Sequence, residues 1–303
     1  MYKFSIFIPT YNRAHTLPRL LESITQQEYK NFECIIVDDG SNDNTKSVIE
    51  NVQQQCNFKL RYYYQSNSGK HVARNKAIML AEGEFFLTID SDDKLLPNTL
   101  SNMLDIWNGI PEYEYYKFAG VEGLCADMNT KKIIGNKFPQ DILDSNHLET
   151  RYIHHIKGDK IRFIRTVIFR KHLFPVINDE KFISESIIWN EIGKDYSFRY
   201  VNNIYAEVEY QTDGLSKKSR DIRTSNPKGC RLYSMRLLSY YSKEFKPKRI
   251  YIYKNIINYF RFSFHSNISI HQQFREITIT YSALFLFIFG YLFYLYDLYK
   301  TGA

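Results

Sequence analysis

The sequence has little of what builds a disulfide scaffold, a zinc module or a dinucleotide fold. Four cysteines among 303 residues, Cys34, Cys56, Cys125 and Cys230, stand far apart. No CxxC pair occurs and no histidine lies at ligand spacing from them, which excludes a disulfide framework and points to a reducing compartment. Cys34 falls within an apolar strand pattern and reads as a small core residue. Neither GxGxxG nor GxxxxGK(S/T) is present, so a dinucleotide turn and a P-loop are both disfavoured. The opening MYKFSIFIPTYNR has a short apolar run without a cleavable signal pattern and reads as a strand.

What is present is ordinary in amount and uneven in placement. Hydrophobic residues at 44% and charged residues at 24% suit a globular protein, one large domain or one domain with an appendage. Aromatics reach 16%, with 25 Tyr and 22 Phe, concentrated in the second half. Lys3 to Ile8 predicts a strand stopped by Pro9. Leu17, Leu20, Leu21 and Ile24 recur at helical spacing and predict a helix over 16–26. Phe32 to Val37 is a second strand, followed by a helix over 44–55 capped by Asp43 or Asn44. Leu60 to Tyr64 is a third strand, with a helix over 71–81 after the turn Asn67-Ser68-Gly69. A fourth strand runs from Phe85 to Ile89. This alternation predicts an α/β fold, a mostly parallel sheet flanked by helices.

The carboxyl ends of parallel strands share one sheet edge, where ligands bind. Thr10, Tyr11 and Asn12 follow the first strand, Asp38 and Asp39 the second, NSGKHVARN the third, and Asp90-Ser91-Asp92-Asp93 the fourth. Singly, each has a plain structural use. Asp38 to Ser41 can be a turn and helix cap; Lys70, Arg74 and Lys76 a solvated helix face; the acids a loop with Asp93 or Asn98 as cap. Together they converge on one crevice, with basic side chains on one wall and acids on the other. Clustered carboxylates repel and lose hydration beside a buried strand, and a divalent cation relieves both costs. Hard oxygen ligands suit Mg²⁺ or Mn²⁺. Such a cleft suits a pyrophosphate, with Asp39 accepting from a base N–H and Tyr11 packing on the ring.

With IPTYNR, VDDGSNDNT, NSGKHVARN and DSDD in this order over residues 8–93, the chain resembles family 2 glycosyltransferases of the GT-A (Rossmann-like) fold. The likeness continues through KGDKIRFIRTVIFRKHLFP, FISESIIWNEI and EYQTDGLS, and so covers residues 1–217. It implies a metal-dependent, inverting transfer of a sugar from a nucleoside diphosphate, most often UDP. Carried over, the nucleotide-sugar site comprises Pro9, Thr10, Tyr11, Arg13, Asp38, Asp39, Gly69, Lys70, Arg74, Asp90 and Ser91. Within it Thr10 and Tyr11 line the nucleoside pocket and Asp39 reads the base. Asp90 and Asp92 match the DxD pair that binds Mn²⁺ or Mg²⁺, with Asp92 as the direct ligand.

Inversion also needs a base to take the acceptor's proton. Many members carry a Glu-Asp pair after a Phe-Pro segment; here the equivalent reads Ser184-Glu185-Ser186, so Glu185 is the candidate base, with Glu191 or Asp179 as alternatives. The missing Asp leaves open a non-catalytic sugar-nucleotide-binding subunit. Asp159, Arg162 and Trp189 are assigned to the acceptor side, although Asp159 equally suits a turn and Trp189 a core position. His154 and His155, adjacent on a strand, would point to opposite faces and are not assigned to metal.

A catalytic domain over 1–216 is thus followed by a basic, aromatic, helical region over 217–303. Between Lys217 and Arg261 thirteen Lys or Arg oppose two acids, Asp221 and Glu244, a balance of +11 within a net charge of +7, so the remaining residues carry −4. The stretch mixes in aromatics, Tyr233 to Phe245 and Tyr251 to Phe260. Ile277 to Tyr296 has twenty residues without a formal charge, enough as a helix to span about 30 Å. Its aromatics suit a lipid–water interface, and the basic stretch before it predicts attachment on the cytoplasmic face of the membrane, as a span or a surface helix. A buried or dimer-forming helix is the alternative. No nucleic-acid reader module is recognisable. The expected acceptor is a lipid-linked oligosaccharide in cell-surface polysaccharide synthesis; the alternative is a teichoic-acid-like polymer, with the tail used for oligomerisation.

Overall fold

The computed structural model describes residues 2–210, 219–243, 248–277 and 281–301. The 211–216 part of the EYQTDGLS segment, Lys217 and Phe245 lie outside the described residues. The first half follows the expected alternation: β1 (Phe4–Thr10), α1 (Leu17–Thr25), β2 (Phe32–Asp38), α2 (Thr45–Gln55), β3 (Lys59–Tyr64), α3 (Lys70–Leu80) and β4 (Phe85–Thr88). Then come β5 (Lys94–Leu95), α4 (Thr99–Asn108), a 3-10 turn (Glu112–Lys117), β6 (Phe118–Asp127), β7 (Ile142–Ser145), α5 (His147–Tyr152), β8 (Lys160–Arg165), α6 (Thr166–Phe169), α7 (Ser186–Asp195) and β9 (Ser197–Val208).

These strands form one sheet in the order β3-β2-β1-β4-β8-β6-β9-β5, with β7 paired to β9. The mostly parallel expectation holds for β3-β2-β1-β4. Beyond them the sheet is mixed, because β8 enters antiparallel to both β4 and β6. Pro9 does not stop β1, which continues to Thr10 and pairs Pro9 with Val37. The reason is local: the Phe7 carbonyl points toward β4, accepting from Ile89 N, so Pro9 lacks its N–H on that same side, where β4 has already ended.

Alternation along the central strands gives each face its own packing. Phe4, Ile6 and Ile8 join the main core with Leu17, Leu20, Leu21 and Ile24 of α1 and Leu100, Met103 and Trp107 of α4. Phe85 and Phe163 bridge the strands in that core with ring centroids 4.4 Å apart, and Trp107 lies edge-on to Phe85 at 5.1 Å. Outside that cluster Phe86 packs tilted on Phe7 at 5.8 Å and edge-on to Phe169 at 5.4 Å. Cys34 is fully buried in β2, as its strand pattern predicted.

The chain forms two compact units, Met1–Leu173 with Glu191–Gln211, and Phe174–Asn190 with Thr212–Ala303. The division therefore differs from the expected boundary at 216, since Phe174–Asn190 groups with the C-terminal residues. Two side chains account for this. Asn226 Oδ1 accepts from Lys181 N and Phe182 N at 2.6 and 3.0 Å. The Glu180 carboxylate accepts from Lys228 N and Gly229 N, both at 2.7 Å, satisfying open amides in the first turn of a helix. The second unit is helical: α8 (Ser219–Thr224), α9 (Pro227–Lys243), α10 (Arg249–His265), α11 (Ile270–Glu276) and α12 (Tyr281–Thr301). Of the apolar helix expected over 277–296, the described part is α12, which runs on past Tyr296 to Thr301, while Ile277 ends α11 in extended backbone and residues 278–280 lie outside the described residues.

Candidate active site

The loops after β1 and β2 form one piece. Asn12 N donates to Ser41 Oγ and Asn42 N donates to Asn12 Oδ1, both at 2.8 Å, while Arg13 N donates to Thr45 Oγ1 at 3.0 Å. Asn12 takes φ +52° to reach both, a conformation asparagine tolerates. The IPTYNR and VDDGSNDNT stretches are therefore two halves of one rim. Tyr11 stands on it 44% exposed.

Beneath the rim, Asp38 and Asp39 have different employments. Asp38 is buried and accepts from Ser41 N at 2.8 Å and from Tyr62 Oη at 3.0 Å. Burial, then the Asp38 charge, push the Tyr62 phenol up. Asp39 Oδ1 accepts from Gln65 Nε2 and Ser68 N, and Oδ2 accepts from Gly69 N, all at 2.8 Å. Its carboxylate thus folds the Asn67-Ser68-Gly69 turn and keeps one Oδ2 lone pair open. Gly69, at φ +99°, then launches α3. Gly40, at φ +92°, lets the turn approach: a Cβ there would lie 2.9 Å from Asn67 N.

Behind Asp39 the first two turns of α3 bury His71 and Arg74. Thr10 Oγ1 and both His71 ring nitrogens are buried without a hydrogen-bond partner among the described residues. Burial lowers the His71 pKa, against the pull of the Asp39 charge.

The acids after β4 face cations. Lys70 Nζ lies 2.7 Å from Asp90 Oδ1, and Arg13 Nε lies 3.8 Å from Asp92 Oδ2. Arg19, from the polar side of α1, donates to the Asp92 carbonyl and pairs with Glu209 at 2.8 Å. Burial raises the Asp92 pKa, the Asp90 charge adds to it, and Arg13 and Lys70 oppose. Asp93 is pushed well up by burial, then by Asp90 and Asp92. Ser91 is buried between them. Among the described residues no group of three His, Cys, Asp or Glu is placed to hold a metal ion alone. Asp90 and Asp92 present hard carboxylate oxygens, the donor type a divalent cation takes, in too small a number to enclose one by themselves.

The acceptor-side candidates separate. Asp159 is exposed after Gly158 and accepts from Tyr210 Oη at 2.6 Å, a phenol that also feels the Asp93 charge. That pair therefore belongs to the acid-lined edge. Arg162 instead lies opposite Glu122 in the β6–β8 ladder, paired at 2.7 Å with both side chains largely buried. Trp189 is buried, edge-on to Phe174 at 6.5 Å. Glu185 precedes α7 in the second unit, its carbonyl accepting from Ile188 N and Trp189 N. His154 and His155 lie in the turn after α5 rather than on a strand, His155 at φ +54°. Sequence reasoning did not single out Arg19, Tyr62, Gln65, Glu209 or the role of Tyr210. Arg19 carried the one readable signal, a cation amid the buried leucines of α1.

Comparison with known proteins fits this geometry. Residues 5–169 match the model of the family described as Glycosyl transferase family 2. The GalNAc(5)-diNAcBac-PP-undecaprenol beta-1,3-glucosyltransferase of Campylobacter jejuni is 28% identical over 213 residues, 68% of this chain and 64% of its own length. The poly(ribitol-phosphate) beta-N-acetylglucosaminyltransferase TarS of Staphylococcus aureus is 38% identical over 104 residues, 34% of this chain and 18% of TarS. The chain thus spans less than two thirds of either relative. In three dimensions TarS 1–349 in complex with UDP-GlcNAc superposes with a TM-score of 0.62 at 19% identity, covering 97% of this chain and 81% of that one. The mannosyltransferase PcManGT of Pyrobaculum calidifontis, in complex with GDP-Man and Mn²⁺, gives 0.52 at 17% identity, covering 99% and 82%. The fold is GT-A, and with more than half of its residues matched to the family the chain belongs to glycosyltransferase family 2.

Proposed function

We propose that the chain is an inverting glycosyltransferase that moves a hexosyl or N-acetylhexosaminyl group from a nucleoside diphosphate, UDP in the first instance, to a lipid-linked glycan of a cell-surface polysaccharide. The observation that carries this reading is the meeting of Tyr11, Asp39, Lys70, Asp90 and Asp92 on one sheet edge. Tyr11 packs on the base and the open Asp39 lone pair accepts its N–H. Lys70 and Arg13 turn from the acids to the diphosphate. Asp92, with Asp90 beside it, would hold a divalent cation, which would supply positive charge for the departing diphosphate. Glu185 takes the proton of the acceptor hydroxyl as that oxygen bonds to the anomeric carbon. The carbon–oxygen bond to the diphosphate breaks on the opposite face, and the nucleoside diphosphate leaves with the electron pair. Asp159 and Tyr210 hold acceptor hydroxyls.

The acceptor class is supported by the Campylobacter relative, whose name describes a diphosphoundecaprenol-linked glycan. The helix α12 attaches the protein to the cytoplasmic face of the membrane. A second reading, decoration of a teichoic-acid-like polymer, draws on the likeness to TarS.

The test is hydrolysis of a sugar-nucleotide panel with Mn²⁺, Mg²⁺ or EDTA, by wild type, Asp92→Ala and Glu185→Ala. Metal-dependent release of one nucleoside diphosphate, lost in Asp92→Ala, is the expected result. Transfer to a lipid-linked oligosaccharide and not to poly(ribitol phosphate) separates the two acceptors. Donor binding by calorimetry with no turnover on any acceptor would overturn the enzymatic reading in favour of a binding subunit.

A further inference from the structure

The helix α12 has one covered side and one bare side. On the covered side Ala283 and Leu286 are buried, and Phe287 packs on Phe260 at 5.1 Å, Phe264 at 5.4 Å and Phe274 at 5.1 Å. Gly290 allows the helices to touch, since a Cβ there would fall 2.5 Å from Phe260 Cβ. Further along, Arg261 holds Asp297 through two hydrogen bonds of 2.5 and 2.6 Å, and His265 Nε2 reaches the same carboxylate at 3.0 Å. Asp297 is fully buried by this clasp.

The bare side is almost wholly apolar. Phe285, Ile288 and Leu292 are 62%, 54% and 53% exposed, and Phe289 and Phe293 extend the same surface. Contiguous apolar surface of this kind marks an interaction site. At its end stand cations. The Arg220 guanidinium lies 5.2 Å over the Tyr296 ring, and Lys300 Nζ lies 5.8 Å from the Tyr299 ring. The two helices behind, α9 and α10, together contain seven Lys or Arg and no acid.

An apolar, aromatic face rimmed by cations suits a helix lying at the boundary of headgroups and acyl chains. Length and composition alone would also allow a span over Ala283–Lys300. A span, however, must either pull α12 off α10, stripping Asp297 of Arg261, or carry Arg261 and the exposed Lys254 into hydrocarbon. A second copy of the chain is a poorer occupant, because joining two such faces would bring like charges together, whereas anionic lipid complements them.

We propose that α12 is an in-plane membrane anchor, seated in one anionic leaflet with Phe285, Ile288, Phe289, Leu292 and Phe293 inserted and Arg220 and Lys300 on lipid phosphates. This rests on the membrane attachment proposed above and sets its geometry. Two measurements on the full chain test it.

In the first, purified protein is floated with vesicles of phosphatidylcholine, with and without phosphatidylglycerol. Wild type floats with the anionic vesicles; Ile288→Glu/Leu292→Glu lowers binding at least about tenfold while keeping the wild-type melting transition. Arg220→Ala/Lys300→Ala loses the preference for phosphatidylglycerol. In the second, inside-out membrane vesicles from producing cells carry the chain with a C-terminal tag. External protease removes the tag and alkaline carbonate releases the protein. A protected, carbonate-resistant tag means a span, which overturns the in-plane seat and leaves attachment standing. Absence of flotation overturns both, and a dimer broken by Ile288→Glu/Leu292→Glu would then assign the face to a second copy.

Discussion

Lys70 Nζ sits 2.7 Å from Asp90 Oδ1, so the chain itself sets a cation against its acid cluster. Lys70 opens α3, directly after the turn that Asp39 folds, and the sheet edge brings it to the end of β4. On the proposed function, a nucleoside diphosphate with its divalent cation would offer each partner a replacement: phosphate for Lys70, metal for Asp90. Lys70→Met therefore removes a charged contact to the donor. Such contacts are worth about 1.5–3 kcal/mol, so UDP affinity should fall roughly ten- to hundredfold by calorimetry in Mn²⁺. Unchanged affinity would show that Lys70 stays on Asp90.

Asp39→Asn tests whether that carboxylate builds the site as well as reads the base. Three donors converge on it, and an amide nitrogen cannot accept from any of them. At least one of Gln65, Ser68 N or Gly69 N loses its partner, at about 1–3 kcal/mol. The expected outcome is a lower melting temperature together with weaker donor binding. A variant that binds poorly yet melts as wild type would confine Asp39 to the base.

The strands and helices through β4 were legible because their apolar periods are clean and each polar stretch sits at a strand end. The departures have local causes. Pro9 stays in β1 because its missing donor faces the side where β4 has ended, which requires knowing the neighbouring strand. The segment Phe174–Asn190 joins the second unit through Glu180 and Asn226, contacts separated by more than forty residues that carry no motif. In the site, residues in consecutive runs were readable, whereas Arg19 meets the Asp92 carbonyl and Glu209 only through the fold. Arg162 was assigned to the acceptor side, and its pairing with Glu122 across the β6–β8 ladder could not be read from the sequence.

His71 gives the protein an acid-side weakness. Burial holds its folded-state pKa below the ordinary value, so the unfolded chain takes up the proton first. Its contribution is intact above about pH 6.5 and is lost as pH falls toward the folded pKa. Melting temperature should drop between about pH 7.5 and about pH 5.5, and His71→Gln should flatten that part of the profile. An identical slope in the variant would move the acid sensitivity elsewhere.

Variants of Arg162 and Glu122 decide between a structural and an acceptor-binding role by stability and activity read together. The pair lies within the β6–β8 ladder, with Glu122 buried and its carboxyl pushed up by burial against the opposing Arg162 charge. Removing one partner of a buried pair leaves an uncompensated charge and costs about 3–5 kcal/mol, whereas replacing both with apolar side chains is often near neutral. Arg162→Met should therefore lower the urea midpoint sharply, and Glu122→Leu/Arg162→Met should recover most of the loss. Donor hydrolysis measured on the folded double variant should then approach wild type. If Arg162→Met instead unfolds normally but fails to transfer sugar at any acceptor concentration, the guanidinium reaches the acceptor and its pairing with Glu122 is secondary.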